Sequence, residues 1–400
     1  MAHRQRAAAG RAGGHPARAG APLDHEADRP VLISGYYGFG NLGDEAVLAG
    51  LLAELRARAP RARLVVLSAD PPATEALHRV EAVGRAPVAV WQAVRGARLV
   101  VCGGGSLVQD ATSARSAVYY LGVMMAAARR GVPVAVVGQG VGPLRRPWVR
   151  RLAARAFAGV RVLSVRDAAS ARALRQLGVT SEIHLGADLA ALTPRPDPQR
   201  VRRILAAEGL DRANARVGVA VRAWPGMRSP AEIGRGIRRV AETYGARVAV
   251  FPFDLARDRE ISEEVAAAAA GRVVPVPDPR DLLGVVGAMD VMVAVRLHGL
   301  IFAALGGVPA VAVAYDPKVS AFAAEVGLPG VVPVDATGLA IAEALGRTFE
   351  GRVVLRSRLQ QAAPGLRARA STAVGLVAAV LSERDGARAA RAGVPPNWTE

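Results

Sequence analysis

The amino-acid sequence predicts an α/β protein with two doubly wound, Rossmann-like domains that face each other across a cleft. Short apolar runs alternate with helical stretches along most of the chain, which is typical of parallel βαβ units. The alternation stops at a proline-rich segment and then starts again, as expected for two domains. A chain of 400 residues, 51% of them hydrophobic, is long enough to build two cores.

The first series of apolar runs predicts five strands of the first domain. They lie at residues 31–34, 63–68, 97–102, 132–137 and 162–165. Apolar residues recur at helical spacing between these runs, most clearly at 45–58 and again at 116–130. The first domain is therefore predicted at residues 30–192.

A linker is predicted at residues 193–215, where the sequence TPRPDPQR contains three prolines among charged residues. A second series of strands follows at 217–221, 247–251, 273–276, 291–295 and 310–314. The second domain is therefore predicted at residues 216–384. Residues 1–29 are predicted to form a disordered basic arm, and residues 385–400 a loose tail.

The composition limits the partners and the compartment. A formal net charge of +18 predicts attraction to anions, such as a phosphorylated substrate or an anionic membrane surface. The sequence has no nucleic-acid-binding motif and no zinc-ligand spacing, so neither nucleic acid nor a metal is expected. Cys102 is the only cysteine, and no secretory signal is evident. We expect a cytoplasmic protein that can contact the inner face of the membrane peripherally.

Three glycine-rich segments follow predicted strands of the first domain. They are GYYGFGNLGDE at 35–45, GGGSLVQDATSARS at 103–116 and GQGVGP at 138–143. Glycine lets backbone N–H groups approach a ligand, and helix N-termini favour anions. Any one such loop is more simply explained as a tight turn. Three loops at the carboxyl ends of strands in one domain favour a binding edge.

Cationic side chains accumulate at the corresponding edge of the second domain. Arg296 and His298 follow one predicted strand, and Lys318 follows the next. Lys318 is the only lysine of the chain, beside 51 arginines. If the two strands are neighbours or next-neighbours, these three side chains can converge on one small anion. Arg166, after the last predicted strand of the first domain, can join them across the cleft or form a surface ion pair with Asp167.

The ordered set of motifs resembles the polysaccharide pyruvyl transferase family. The motifs are GYYGFGNLGDEAVL, GGGSLVQDATSARSAVYYL, GQGVGP, LSVRDAAS, VRLHGLIFAA and AYDPKVSAF, and the resemblance extends from about residue 31 to about residue 380. The likeness is to the bacterial branch that acts on the secondary cell wall polymer anchoring S-layer proteins.

The resemblance implies a GT-B-like fold, phosphoenolpyruvate as the donor and a lipid-linked saccharide as the acceptor, with no cofactor. The acceptor sugar that it implies is N-acetylmannosamine. The family's phosphoenolpyruvate-binding positions fall on Arg166, Arg296, His298 and Lys318. Acceptor binding is assigned to the loops of the first domain, at Gly40, Asn41, Asp44, Gly104, Gly105, Ser106 and Asp110.

Ketal formation from an enol phosphate needs proton transfer to the methylene carbon and activation of two sugar hydroxyls. His298 is the expected acid/base group, because the pKa of histidine suits proton transfer near neutrality. Asp44 is the expected base for the sugar hydroxyl, with Asp110 behind it. An acidic residue in the first turn of a helix is also favoured by the helix dipole alone, so Asp44 has a purely structural alternative.

Two other functions fit the same sequence. A glycosyltransferase that uses a sugar nucleotide would share the two-domain plan, and Glu325 could then bind the ribose. A non-catalytic protein that binds phosphorylated sugars would bind the acceptor and release no phosphate.

Overall fold

The computed structural model describes residues 29–111 and 114–391. The predicted basic arm up to residue 28 and residues 392–400 of the predicted tail lie outside the described residues. Within the described residues, no helix combines the length and the hydrophobicity that crossing a bilayer requires.

The first domain is built on a parallel sheet with the strand order β3-β2-β1-β4-β5-β6-β7 in the described chain. The strands are β1 Val31–Ser34, β2 Leu64–Ser68, β3 Glu81–Gly84, β4 Leu99–Gly103, β5 Val134–Gln139, β6 Val162–Val165 and β7 His184–Leu185. The helices are α1 Leu42–Arg58, α2 Pro71–His78, α3 Pro87–Gly96, α4 Ala114–Arg129, α5 Pro147–Phe157 and α6 Ala168–Gln176. A short 3-10 helix, Leu189–Leu192, follows β7.

The second domain has the parallel strand order β10-β9-β8-β11-β12-β13. Its strands are β8 Ala215–Ala220, β9 Ala246–Val250, β10 Arg272–Val273, β11 Val291–Ala294, β12 Ala310–Ala314 and β13 Val331–Pro333. Its helices are α8 Pro230–Tyr244, α9 Leu255–Ala268, α10 Pro279–Gly287, α11 Leu297–Gly306, α12 Pro317–Glu325 and α13 Gly338–Glu350. The predicted fold class of two doubly wound α/β domains is thus confirmed.

Strands that the sequence analysis did not predict are β3, β7 and β13. Each lies at or next to the edge of its sheet, and each exposes part of its surface to solvent. Such strands lack the continuous apolar run that marks a strand buried on both faces. The central strands were found from sequence because their residues are buried throughout.

Two helices depart from the predicted division of the chain into domains, linker and tail. Helix α7, Pro198–Ala207, lies within the predicted linker and packs against α10 of the second domain. Helix α14, Arg352–Arg391, follows the second domain but also packs against α1 and β5 of the first domain. It continues to Arg391, into the segment where the sequence suggested a loose tail. Helix α14 therefore packs against both domains.

Each sheet has one place where the direction of winding reverses. In the first sheet it lies between β1 and β4, and in the second between β8 and β11. Ligands of open α/β sheets bind outside the carboxyl ends of the strands at such switch points. The two edges are joined by direct contacts, since the N–H of Leu42 donates to the carbonyl of Phe253 at 2.7 Å. The two switch points therefore meet at one interface.

Candidate active site between the two domains

Arg166 lies directly after β6 and is almost completely buried, with a side chain 9% exposed. Its Nη1 donates to Oδ2 of Asp188 at 3.1 Å, its Nε to Oδ2 of Asp167 at 3.2 Å, and its Nη2 to Oγ of Ser106 at 3.2 Å. Burial alone would lower the pKa of Arg166, but the two carboxylates outweigh burial and raise that pKa. The guanidinium is therefore a fixed positive charge at the edge of the first domain.

Arg296 stands at the start of α11, just beyond β11, and its guanidinium pairs with the carboxylate of Asp258 on α9. The pair is buried, with Asp258 1% exposed and the Arg296 side chain 10% exposed. The Nε atom of Arg296 is also buried and has no hydrogen-bond partner among the described residues. Arg296 thus combines a fixed orientation with one unused donor.

His298 belongs to the second domain, but its ring packs against the first. A Cβ added at Gly43, at the start of α1, would lie 2.0 Å from Nδ1 of His298. Its Nε2 lies 3.8 Å from Oδ2 of Asp188 and has no hydrogen-bond partner among the described residues. Burial, with the charges of Arg166 and Arg296 and a smaller effect of Lys318, lowers the pKa of His298 to about 4, although Asp188 opposes the shift. The imidazole is therefore neutral at pH 7.

Lys318 lies in the first turn of α12, after β12, and β12 pairs directly with β11. The neighbouring strands that the sequence analysis required for convergence are therefore present. Nζ of Lys318 lies 3.2 Å from Oδ2 of Asp316 and 5.6 Å from the ring centroid of Tyr315. The side chain is 27% exposed, so Lys318 stands at the rim of the site.

Arg222 follows β8 and was not predicted as a site residue. Its guanidinium carbon lies 4.9 Å from the ring centroid of Trp224 and 5.3 Å from that of Tyr315, the ring that Lys318 also approaches. Nε of Arg222 is buried without a hydrogen-bond partner among the described residues. Arg222 and Arg296 follow the adjacent strands β8 and β11, so both cations lie at the switch point of the second sheet.

Asp44 lies in the first turn of α1, and its carboxylate faces the loop after β4. A Cβ added at Gly105 would lie 3.0 Å from Oδ1 of Asp44. Burial, followed by the charges of Glu45 and Asp188, raises the pKa of Asp44 to about 8, although Arg296 and Arg166 oppose the shift. At pH 7 the carboxyl group of Asp44 therefore carries its proton.

The glycine-rich loops bring backbone close to these side chains. Gly104 and Gly105 have positive φ angles of 27° and 74°, and a Cβ at Gly104 would lie 2.5 Å from Val47. Gly40 also has a positive φ, 75°, and no atom lies within 4 Å of its Cβ position. Asn41 caps α1, accepting a hydrogen bond from the N–H of Gly43 at 3.1 Å. The third loop has positive φ angles at Gly138, 60°, and at Gly142, 93°. All three loops therefore need glycine for conformation or for close packing.

Asp110 is the one predicted acceptor-binding residue whose carboxylate is fully used by the chain itself. It is 2% exposed, and its two oxygens accept hydrogen bonds from the N–H groups of Arg145 and Arg146, both at 2.7 Å. These bonds fasten the loop after β4 to the loop after β5. We therefore do not retain Asp110 as a candidate base.

Asp188 and Asp258 were also missed from the sequence. Asp188 follows the two-residue strand β7 and accepts a hydrogen bond from the N–H of Ala190 at 3.0 Å, so it resembles an ordinary cap of the 3-10 helix. Asp258 lies inside α9, in a charged stretch that looks solvent-exposed in sequence. A strand-end search extended to very short strands would have found Asp188, whereas no local signal marks Asp258.

A separate polar cavity of about 560 Å³ lies where α2, the linker and α10 meet. Its walls carry several arginines, but Arg200 pairs with Asp281 and Arg280 with Asp278, each at 2.7 Å. Arg280 also donates to the carbonyl of Leu77 in the first domain at 2.9 Å. This region forms a polar contact between the two domains.

Within the described residues, no group of three or more His, Cys, Asp or Glu side chains is placed to hold a metal ion.

A family model for polysaccharide pyruvyl transferases matches residues 41–317. The matched region contains Asp44, Arg166, Asp188, Arg296 and His298, and it ends one residue before Lys318. The chain belongs to the polysaccharide pyruvyl transferase family. A search among curated proteins finds no match.

Several solved structures share this fold, among them three that hold UDP or a UDP-sugar. A UDP-GlcNAc 2-epimerase from Neisseria meningitidis, bound to UDP-GlcNAc, has a TM-score of 0.61 and 11% identity, covering 87% of this chain and 99% of its own. HepE of Anabaena, in complex with UDP and glucose, has a TM-score of 0.59 and 15% identity, with coverages of 89% and 100%. A UGT transferase from Siraitia grosvenorii, in complex with UDP, has a TM-score of 0.56 and 14% identity, with coverages of 88% and 99%. At these identities the likeness establishes a GT-B-like fold.

Proposed function

We propose that this protein transfers the enolpyruvyl group of phosphoenolpyruvate to two hydroxyls of a sugar, forming a pyruvate ketal. The proposed acceptor is an N-acetylmannosamine unit of a lipid-linked precursor of the cell wall polymer that anchors S-layer proteins. The observation that carries the proposal is a set of three buried polar atoms without partners among the described residues: Nε of Arg222, Nε of Arg296 and Nε2 of His298. Buried polar groups are normally paired, so these atoms mark a place for a polar ligand.

The donor has a carboxylate and a phosphate, and both require cations. Arg222 and Arg296 would bind one anionic group from the second domain, and Arg166 would approach from the first. Lys318 at the rim would neutralise the leaving phosphate as a point charge.

A cytoplasmic location with peripheral membrane contact also stays a proposal, supported by the net charge of +18 and the anionic lipid-linked precursor.

The two titratable groups exchange the roles expected from sequence. Asp44, with its pKa raised to about 8, holds a proton at pH 7, whereas His298, with its pKa lowered to about 4, is free to accept one. Environments that push two pKa values apart identify the acid and the base. We therefore assign Asp44 as the proton donor to the methylene carbon and His298 as the base for the first sugar hydroxyl.

The reaction then proceeds through two additions of a sugar hydroxyl to C2 of phosphoenolpyruvate, and its atoms and protons balance. Asp44 gives its proton to C3 of phosphoenolpyruvate, and the first hydroxyl attacks the cationic C2 while His298 takes its proton. The C2–O bond to phosphate then breaks, and His298 returns its proton to the departing phosphate. The second hydroxyl attacks C2 and passes its proton to Asp44, which restores the starting state. The net products are the ketal and hydrogen phosphate.

The first experiment is incubation with phosphoenolpyruvate and a panel of N-acetylated saccharides, with phosphate release and product mass measured together. We expect phosphate release only when an acceptor is present, with an equal amount of ketal. Arg222→Ala should weaken phosphoenolpyruvate binding, measured by thermal stabilisation, while Arg228→Ala, at an exposed position after the same strand, should not. Stabilisation by phosphoenolpyruvate that is the same in both variants would contradict the assignment.

A sugar-nucleotide glycosyltransferase is the second candidate, because the solved structures with this fold include enzymes bound to UDP. In this chain Glu325, the residue considered for a ribose, pairs with Arg369 of α14. Titration with UDP-sugars beside phosphoenolpyruvate separates the two functions. Stabilisation by UDP-sugars alone would favour the glycosyltransferase, and acceptor binding without phosphate release would favour a non-catalytic binder.

A further inference from the structure

Residues 85–166 carry most of the positive charge of the chain. They contain thirteen arginines and one acidic residue, the buried Asp110, so they account for +12 of the formal net charge of +18. Helices α3, α4 and α5 lie within this stretch and contain no aspartate or glutamate. Helix α9 of the second domain, by contrast, has four acidic residues among fourteen. The excess of positive charge is therefore concentrated in one region of the first domain.

The three helices lie side by side on one face of the first sheet. Helix α4 packs against both α3 and α5, and the inward residues Val94, Leu121 and Phe157 belong to one core cluster. The guanidinium carbon of Arg130, just beyond α4, lies 4.2 Å from the ring centroid of Trp91 on α3. The outer sides of the three helices therefore form one continuous surface.

This outer surface combines arginines with apolar side chains. We call it the basic helical face and define it by six exposed residues: Trp91 of α3, Arg115 and Val118 of α4, and Trp148, Arg151 and Arg155 of α5. Spacings of three and four residues place the three α5 side chains on the side of that helix away from the buried Val149 and Ala153.

The basic helical face has an unusual composition for a solvated surface. Trp148 is 50% exposed and Trp91 is 42% exposed, although tryptophan is mostly buried in folded proteins. No carboxylate among the described residues pairs with Arg115, Arg151 or Arg155. An ordinary surface mixes charges of both signs, whereas exposed apolar side chains among unpaired cations indicate a binding surface.

The face adjoins the edge of the sheet where the proposed acceptor binds. Helices α4 and α5 follow the loops after β4 and β5, so their first turns lie at the carboxyl edge of the sheet. The carboxylate of Asp110 fastens these two loops together through the N–H groups of Arg145 and Arg146, both at 2.7 Å. Trp148 follows Arg146 by two residues. The face therefore extends from the acceptor loops across the outside of the first domain.

We propose that the basic helical face docks on a membrane surface of anionic lipids, with Trp148 at the headgroup level and the arginines on the lipid phosphates. The inference rests on the proposed function in one respect, since a lipid-linked acceptor requires the enzyme to work at a bilayer. Tryptophan has an apolar ring with a polar N–H and favours the membrane–water interface. Arginines are attracted by the anionic surface, and their aliphatic stems pack along it. Docking would hold the acceptor loops close to the bilayer from which the saccharide extends.

Two other partners match the face less well. A second copy of the chain, related by a two-fold axis through this face, would bring like charges together. Double-stranded nucleic acid would bind through its phosphates and leave Trp148 and Val118 exposed to water. An anionic surface with an apolar interior uses both the charges and the apolar side chains.

Binding to vesicles tests the face without an acceptor and without catalysis. The full chain is mixed with vesicles of phosphatidylcholine, with or without phosphatidylglycerol, and the bound fraction is separated by flotation. The chain should bind the vesicles that contain phosphatidylglycerol at least about tenfold more tightly. In a second set, lipids brominated on their acyl chains quench the fluorescence of any tryptophan at the interface. The chain has four tryptophans, and Trp148→Phe should remove most of the quenching.

Charge reversal with a matched control isolates the role of the arginines. Arg151→Glu combined with Arg155→Glu should lower the affinity for anionic vesicles at least about tenfold. Arg235→Glu combined with Arg239→Glu reverses two exposed arginines at the same spacing on α8 of the second domain, and it should have a much smaller effect. Both double variants change the net charge equally, so the comparison measures position alone.

An apolar pair of variants isolates the role of the tryptophan. Trp148→Ala should weaken binding at least about threefold, because the ring no longer enters the interface. Val353→Ala is the control, since Val353 on α14 is 74% exposed and lies outside the face. Melting temperatures show whether each variant folds.

The outcomes decide between the face and its alternatives. Equal affinity for neutral and anionic vesicles, or an equal loss in the two charge-reversal variants, overturns the proposal. Binding that requires Arg151 and Arg155 but leaves Trp148 unquenched also overturns it, because a face for nucleic acid would behave in that way.

Ketal formation on a water-soluble saccharide separates this inference from the proposed function. None of the six residues lies in the proposed active site, so the charge-reversal variant should keep its activity on the soluble acceptor. If vesicle binding depends on the face but no ketal forms, the face stands and the proposed reaction falls. If the ketal forms and vesicle binding is independent of the face, the reaction stands and the face falls.

Discussion

Asp188 of the first domain and His298 of the second face each other, with Oδ2 of the aspartate 3.8 Å from Nε2 of the histidine. The same Oδ2 accepts a hydrogen bond from Nη1 of Arg166 at 3.1 Å. One buried carboxylate therefore connects a fixed cation of one domain with a titratable ring of the other. This contact makes the charge state of His298 depend on how the two domains are joined.

Asp188→Asn should lower kcat about tenfold to a hundredfold and move the acidic limb of the pH–rate profile to lower pH. The negative charge of Asp188 raises the pKa of His298, so its removal lowers that pKa below about 4. Asp167→Asn is the matched control, since Asp167 also pairs with Arg166 but does not contact His298. An acidic limb that stays in place, or that moves equally in the control, would show that Asp188 does not act through His298.

Lys318→Arg should raise KM for phosphoenolpyruvate at least about tenfold, because a planar guanidinium cannot replace a compact ammonium at the same place. The chain has one lysine, so acylation by an amine-directed reagent can be assigned by peptide mass to Lys318. Phosphoenolpyruvate should slow the acylation of Lys318 and leave the acylation rate of the N-terminal amine unchanged. Equal rates with and without the donor would exclude Lys318 from the donor site.

Gly43→Ala should reduce activity about a hundredfold, because its Cβ would lie 2.0 Å from Nδ1 of His298 and displace the ring. Gly122→Ala in α4 is the control. No atom lies within 4 Å of the Cβ position at Gly122, so alanine there should stabilise the helix by up to about 1 kcal/mol. Kinetics and thermal unfolding of both variants check this. Full activity of Gly43→Ala would mean that the position of His298 against α1 is unimportant.

Asp44→Asn should raise the melting temperature progressively between pH 4 and pH 8.5. The pKa of Asp44 is raised from 3.8 to about 8 in the folded protein, so the folded state binds more protons than the unfolded state in this window. The contribution of Asp44 to stability therefore falls as pH rises, and asparagine removes that loss. We expect a gain of at least about 2 °C at pH 8.5 and almost none near pH 4. Asp211→Asn, at an exposed position, should show no comparable trend.

Asp258→Asn should destabilise the protein by about 3–5 kcal/mol, since it leaves the buried guanidinium of Arg296 without its counter-ion. Glu242→Gln breaks the ion pair of Glu242 with Arg238, whose side chains are 63% and 52% exposed, and should cost less than about 1 kcal/mol. Denaturant unfolding of the two variants makes the comparison. A similar cost for both would mean that the Arg296–Asp258 pair is not a buried ion pair in solution.

The central strands, the glycine-rich loops and the row formed by Arg296, His298 and Lys318 were predictable because their signals are local. An apolar run marks a strand buried on both faces, and the residue after it lies at the carboxyl edge of the sheet. Two βα units in sequence predict that Arg296 and Lys318 follow neighbouring strands, and the pairing of β11 with β12 confirms that these strands are neighbours. The edge strands β3, β7 and β13 carry a weaker signal, and they were missed for that reason.

The sequence by itself determined the two-domain α/β fold and placed Arg166, Arg296 and Lys318 at strand ends, but it did not single out Arg222. Only the tertiary structure decided that Asp188 joins Arg166 to His298, that Asp258 is the partner of Arg296, and that α14 returns to the first domain. It also decided the protonation of Asp44 and His298. A pKa depends on burial and on charges brought close by folding, and these come from segments that are far apart in the chain.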